Sequence, residues 1–480
     1  MKKISLILLV IMVFFCFSVS AVAEDAEYID LLRVGISYGS EAKGEAWFYS
    51  ESEIYVTDAY YGTYIATLPA YTKCKIYTDG GTIASDYFSP VGSAITLSGE
   101  SVINFNDTAY RGSFELHNSS DKITVINIVN TDDYLASLLG KEMSANWPLE
   151  ALKAQAVCAR NYAMTIAGKH TSSGFDICDT QHCQVYGGVK SEADSTRLAV
   201  EETRGVTVTY EDEIVPLYYF SCDGGYTEDS ENVWVTALGY LRGKKDIHEK
   251  EEYATRYNWS VTYTKAEIEN ILNSKNMGVG ELCDIRIDEM SDNNGVIKLT
   301  FVGTLGEKTV TKTQTRTVLS LNSQAYTIEK NTNAPIISEE PEIVTQNILT
   351  ADGVVTVTNP GFAMTGEGVK QIPYGTVTVQ EESEYFDSYT FNGHGWGHLV
   401  GMSQWGAFSM AVEGYTYKDI LNFYFTDIAI VEAPLDIYEE TEPPVYEDVD
   451  VPVYEEPENI ETEPWQDTTY EETQWSDTGI

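Results

Sequence analysis

One helical period restricts the folding of this chain more than any other feature. From Pro148 to Gly168, the residues Leu149, Leu152, Ala156, Ala159, Ala163 and Ile166 recur at steps of three and four, which lines one helix face with apolar side chains. Pro148 opens that helix in its first turn, where a missing N–H costs nothing, and Gly168 is suited to end it. The segment Asp133 to Met143, capped by Asp132 or Thr131, supplies a second helix, so the pair needs an apolar surface to pack on.

That surface is expected from strands on either side. Between residues 30 and 127, short alternating apolar runs (Leu32 to Ile36, Glu53 to Val56, Cys74 to Tyr77, Lys122 to Ile126) are separated by Gly, Ser and Asp clusters. Strand signals return over residues 204–328, at Arg204 to Tyr210, Ile214 to Phe220 and Gly295 to Val302. Strands, then a helical pair, then strands predict an α+β fold of mixed sheets around a central helical pair. Residues 329–385 are polar and carry Pro335, Pro341, Pro360 and Pro373, and read as an insertion with a strand pair near Gly353 to Thr358 and Gly375 to Val379. A Gly-rich motif and a last helix near Tyr417 to Tyr424 complete the folded part over residues 390–428.

The ends are different in kind. Lys2 and Lys3 precede the uncharged run Ile4 to Val19, followed by Ala21-Val22-Ala23, so residues 1–23 read as a signal peptide or, uncleaved, as an N-terminal anchor. The protein is therefore expected outside the cytoplasm, secreted or at the cell surface. Residues 432–480 hold 17 acidic side chains and no Lys or Arg, with Pro-Val-Tyr-Glu repeated at Pro444 and Pro452, the composition of a disordered acidic tail. With 30 Lys+Arg against 74 Asp+Glu, the net charge of −44 excludes a nucleic-acid binder, because phosphate backbones are held by clustered cations. Of the seven cysteines, Cys74, Cys158, Cys222 and Cys283 are widely spaced; an exported chain could pair them, although Cys158 lies in the helical period and suits a buried core position.

Chemistry concentrates in three places. Glu142 ends the first helix before the tight turn Ser144 to Pro148, and burial beside Met143 or Trp147 would raise its pKa as a general acid requires. His170, Cys178, His182 and Cys183 place four soft-to-borderline donors within 14 residues, the set of a closed structural zinc site, with a Cys178–Cys183 disulfide as the alternative. The stretch Gly393 to Ala407 (GHGWGHLVGMSQWGA) combines close backbone approach with aromatic, His, Ser and Gln side chains, and suits either a sugar-binding cleft or a structural turn.

The runs Asn130 to Leu135, Glu142-Met143 and Trp147 to Ala163 closely resemble the core of the stage II sporulation protein D family. Tyr186-Gly187, Ala199 to Gly205, Tyr219 to Glu228 with Trp234, and Gly393 to Ala407 resemble its successive motifs, so the likeness spans about residues 30–430. Cys222 and Asp223 depart from it, standing where the family usually shows serines. The resemblance implies an exported lytic transglycosylase that cleaves the MurNAc-GlcNAc strand of peptidoglycan and forms 1,6-anhydro-MurNAc, in sporulation or wall remodelling. Glu142 would be its catalytic residue, with Gln155, Arg160 and Tyr162 placing Glu142 or glycan and His398, Ser403 and Gln404 lining the opposite wall. It also implies a structural Zn2+ on the His/Cys cluster and a cell-wall amidase as a partner. Two other classes stay open: a glycan-binding amidase enhancer that does not cut, and a zinc-dependent hydrolase.

Overall fold

The computed structural model describes residues 29–331 and 387–432, together with the backbone of four strands between them. The expected leader and acidic tail lie outside the described residues, as does the expected strand at Gly375 to Val379. The fold is α+β. Thr131–Glu142 (α1) and Leu149–Ile166 (α2) form the expected helical pair, followed by Asp194–Glu201 (α3), Lys265–Ser274 (α4), Gln404–Val412 (α5) and Tyr417–Tyr424 (α6). The cap of α1 is Asn130, whose side chain accepts from the Asp132 backbone N–H, rather than Asp132 or Thr131. Thr131 is instead the first helical residue, and its hydroxyl donates to the Ile29 carbonyl. Pro148 caps α2, and the turn after it uses Gly168 at φ +91°.

Two sheets are built mainly from antiparallel strands that precede α1. A seven-stranded sheet takes its central strands from Leu31–Ser37, Lys122–Asn130, Ser113–Ser119 and Ala94–Gly99; a six-stranded sheet is built around Glu45–Ser50 and Cys74–Asp79. Phe48, Phe105 and Phe114 meet between them at ring separations of 5.4 to 6.3 Å, where the alternating runs point their apolar side chains. One continuous core joins these sheets to α1, α2, α5 and α6. Leu135, Leu138 and Leu139 of α1, and Leu152, Ala156, Ala159 and Ala163 of α2, have no exposed surface, as their spacing requires.

A second core lies elsewhere. It packs α4 against the hairpin Leu282–Met290 with Val296–Gly303, and against the sheet made by Asn258–Thr264, Ser388–His394 and Tyr326–Asn331. Residues 204–328 are thus less strand-rich than their composition suggests. The run expected from Ile214 to Phe220 is a strand only at its ends, Glu213–Ile214 and Tyr219–Phe220, because Pro216 interrupts it and the two ends pair with different partners. The insertion begins later than residue 329, since Tyr326–Asn331 still pairs with Ser388–His394. Within it Gly353–Thr358 is a strand, paired with Thr345–Thr350. The six cysteines of the described residues are all unbridged, so none of the pairings open to an exported chain is formed. No helix of the described residues is long and apolar enough to cross a membrane.

Candidate active site and its neighbouring clusters

Glu142 is the last residue of α1, part-exposed, at the lip where the chain turns through Ser144 to Trp147. Ser195 ties that turn down by donating to the Ala145 carbonyl at 2.6 Å. The carboxyl itself is enclosed by protein, and burial pushes its pKa up to about 7, against the nearby amide of Gln404, which pulls it down. The C-terminal end of a helix dipole also disfavours negative charge there. No neighbouring acid figures among the causes of the shift. Glu142 thus carries a mobile proton near neutrality.

Gln404 reaches Glu142 because the Gly-rich motif folds back. Gly395, Gly397 and Gly401 all have positive φ, and Met402–Ser403 then pairs in parallel with Tyr219–Phe220. Ser403 caps α5 by accepting from the Gly406 N–H at 3.2 Å, so Gln404 opens the helix beside Glu142. Gly406 is sterically required: a Cβ built there lies 1.7 Å from the Tyr424 hydroxyl. Next to Gln404, Trp405 meets Trp147 at 4.6 Å and Phe408 at 5.3 Å between ring centroids, and Tyr253 meets Phe408 at 5.3 Å. These rings are part-exposed, forming an aromatic wall along the lip that bears Glu142.

The remaining expected residues separate into different roles. Gln155 and Arg160 have no exposed surface, and Ser403 has none either, so none of the three offers a contact to a polymer. Arg160 ties α2 to the Val206 carbonyl (3.2 Å) and to Asp132 of α1 (3.5 Å), while Ser403 donates to Glu249. Tyr162 and His398 are part-exposed and both flank Tyr218, at 5.6 and 6.4 Å, with Trp234 against His398 at 5.2 Å. His398 Nδ1 accepts from the Val400 N–H, which leaves the proton of the neutral ring on Nε2. Sequence reasoning missed Gln184. It accepts from the Tyr134 hydroxyl and donates to Tyr219, both at 3.2 Å, and both phenols feel the charge of Glu142. Spacings of 50 and 35 residues leave no local signal for that chain of bonds.

His170, Cys178, His182 and Cys183 do converge, their donor atoms all within 4.8 Å of one another. The individual separations are 3.2 Å for His170 Nε2 to His182 Nδ1, 3.4 Å for His170 Nε2 to Cys183 Sγ, and 3.6 and 3.7 Å from His182 Nδ1 to the two sulfurs. A tetrahedron with Zn–N of about 2.0 and Zn–S of about 2.3 Å has edges of roughly 3.3–3.8 Å, so the donor set fits the ion. The two thiols act on each other, which pushes the proton affinity of Cys178 down and that of Cys183 up. The cluster sits where Ile177–Cys178 pairs in parallel with Val34–Gly35, just past the end of α2.

The stage II sporulation protein family model matches residues 119–210, a span that includes Glu142, α2 and the His/Cys cluster. An uncharacterized protein of Brachyspira hyodysenteriae is 30% identical over 338 residues, 68% of this chain and 73% of the relative. The stage II sporulation protein D of Bacillus subtilis is 28% identical over 320 residues, 63% of this chain and 74% of the relative. The amidase enhancer of the same organism is 28% identical over 305 residues, which is 61% of this chain but only 39% of that longer protein. With the motifs in order, the helix-end glutamate in place and the Brachyspira protein and the sporulation protein D aligned along most of their length, the chain belongs to the stage II sporulation protein D family.

Proposed function

We propose that this protein is a lytic transglycosylase of peptidoglycan in which Glu142 serves first as acid and then as base. The observation that carries the reading is an enclosed carboxyl whose pKa is pushed up to about 7, with no other acid of the described residues among the causes of that shift. Glycosidases that hydrolyse with two carboxyl groups need the second within about 5–9.5 Å. A lytic transglycosylase does not. Protonated Glu142 donates to the glycosidic oxygen as the bond to MurNAc C1 breaks; the resulting carboxylate takes the proton of the C6 hydroxyl as that oxygen bonds to C1. The proton returns to Glu142, the GlcNAc oxygen leaves as hydroxyl, and no water is consumed.

The wall of Trp147, Trp405, Phe408 and Tyr253 supports a carbohydrate substrate, since aromatic faces stack on pyranose rings. Gln404 acts on Glu142 from the opposite side. Zinc on His170, Cys178, His182 and Cys183 is part of the proposal as a structural ion. Four protein donors close its coordination, so its chemistry there is to fasten the loop after α2 to the edge of the large sheet. An extracytoplasmic location, with the leader as signal peptide or anchor, follows from the substrate.

The test is digestion of intact and peptide-stripped glycan strands by wild type and Glu142→Ala, with product masses. The anhydro product is one water lighter than the hydrolysis product, and only wild type should release it. Release by Glu142→Ala sinks the assignment. A second reading, a glycan-binding protein that stimulates an amidase without cutting, is favoured by the relative named an amidase enhancer; glycan binding with intact Glu142 and no released product selects it.

A further inference from the structure

A second cluster of donors lies behind the Gly-rich motif, away from the soft donors of the His/Cys cluster. Asp223, Asp246 and Glu249 are each at most 5% exposed, and one carboxylate oxygen from each lies within 4.8 Å of the others. Two of the three meet donors on both oxygens. Glu249 accepts from the Asp223 and Gly224 N–H groups, the Cys222 thiol and the Ser403 hydroxyl; Asp246 accepts from the His248 and Glu249 N–H groups and the Tyr424 hydroxyl.

Asp223 is different. Its Oδ1 accepts from the Gly225 N–H at 2.6 Å, but Oδ2 is buried with no donor to meet it, and the carboxyl abuts that of Asp246, acceptor against acceptor. None of the three carboxylates has an ion-pair partner among the described residues; Lys244, which feels the charge of Asp246, turns its ammonium to the Phe423 carbonyl. Three buried acids without a cation are costly to ionise.

We propose that Asp223, Asp246 and Glu249 form a binding site for a hard divalent cation, calcium being favoured, which ties the Cys222 to Gly224 turn to the Asp246 to Glu249 turn. Carboxylate oxygens suit calcium or magnesium rather than zinc. Calcium is favoured of the two because it accepts irregular oxygen shells and full dehydration, whereas magnesium keeps several waters that this enclosed site would have to accommodate. The ion would bridge the two turns, whose carboxylates already reach α5 and α6 through Ser403–Glu249 and Tyr424–Asp246. Its role is structural, and it does not depend on whether the protein cuts glycan.

The experiment uses the full chain with its zinc retained, dialysed into calcium-free buffer and titrated with calcium while thermal stability and heat of binding are read. Wild type should bind one calcium per chain with a saturable rise in Tm. Asp223→Asn and Asp223→Ser should bind at least about tenfold more weakly, in line with the loss of one ligand. Both variants keep the acidic residues 432–480, so calcium held only by that tail would affect them as it does wild type and would overturn the proposal. Indifference of wild type to millimolar calcium and magnesium would overturn it too, leaving Asp223 and Asp246 sharing a proton. If neither variant folds, a wild-type crystal grown with calcium decides: an ion between the three carboxylates supports the site, and a bare Asp223–Asp246 oxygen contact of about 2.5–2.7 Å refutes it.

Discussion

Replacing Glu142 by Gln separates the cost of burying this carboxyl from its use. Folding raises its pKa from the ordinary 4.5 to about 7, because burial outweighs the opposing pull of the nearby Gln404 amide. The sign follows from proton binding: the native state holds the proton more tightly than the unfolded chain, so this contribution is complete below pH 4.5 and is lost as pH rises through 7. Keeping the group ionised in the fold then costs roughly 3 kcal/mol, reduced to about 2 because the side chain retains some solvent contact. Glu142→Gln is nearly isosteric with the protonated acid and cannot ionise. The variant should match wild type at pH 4.5 and exceed it by about 2 kcal/mol at pH 8.5. Denaturant unfolding of both proteins at both pH values measures this, and the other titrating groups cancel in the difference. The same variant should release no anhydromuropeptides although it is the more stable protein. A stability difference that does not change between the two pH values would refute the argument that enclosure sets the proton affinity of Glu142.

Other outcomes follow from the same geometry. Initial rates of wild-type glycan cleavage should fall as pH rises above about 7, since the first step needs protonated Glu142. In Gln404→Ala that limb should move to higher pH and kcat should drop by about tenfold or more; an unmoved limb would show that Gln404 does not bond the carboxyl. Gly406→Ala forces a methyl into the Tyr424 hydroxyl and should cost about 1–3 kcal/mol in chemical denaturation. Purified protein should carry about one zinc per chain, and cobalt substitution should give thiolate charge-transfer absorption that Cys178→Ser weakens; a chain with no zinc and undiminished thermal stability would contradict the structural ion.

The parts of the site that sequence exposed were those whose signals are local. The three- and four-residue period from Leu149 to Ile166 is itself the helix, and its inner members Leu152, Ala156, Ala159 and Ala163 have no exposed surface. Four donors within 14 residues could converge with only one loop to close, and they do. The cap of α1 was misplaced by one or two residues because Asn130, Thr131 and Asp132 are all capable caps, and the geometry of the preceding strand chose between them. Polar residues on α2 read as glycan contacts because polarity predicts exposure, but Gln155 and Arg160 lie on the side that α1, α5 and the strand at Val206 cover.

By itself, then, the sequence determined the α+β class, the helical pair, the glutamate at the end of α1 and the family to which the chain belongs. Only the tertiary structure decided the proton affinity of Glu142, because that depends on which distant segments exclude water from it, and Gln404 comes from more than 250 positions further along the chain. Only it could bring Asp223 against Asp246 and Glu249, or join Tyr134 to Tyr219 through Gln184. The physical reason is the same in each case. Periodicity and spacing are properties of neighbours along the chain, whereas burial and charge are set by neighbours in space.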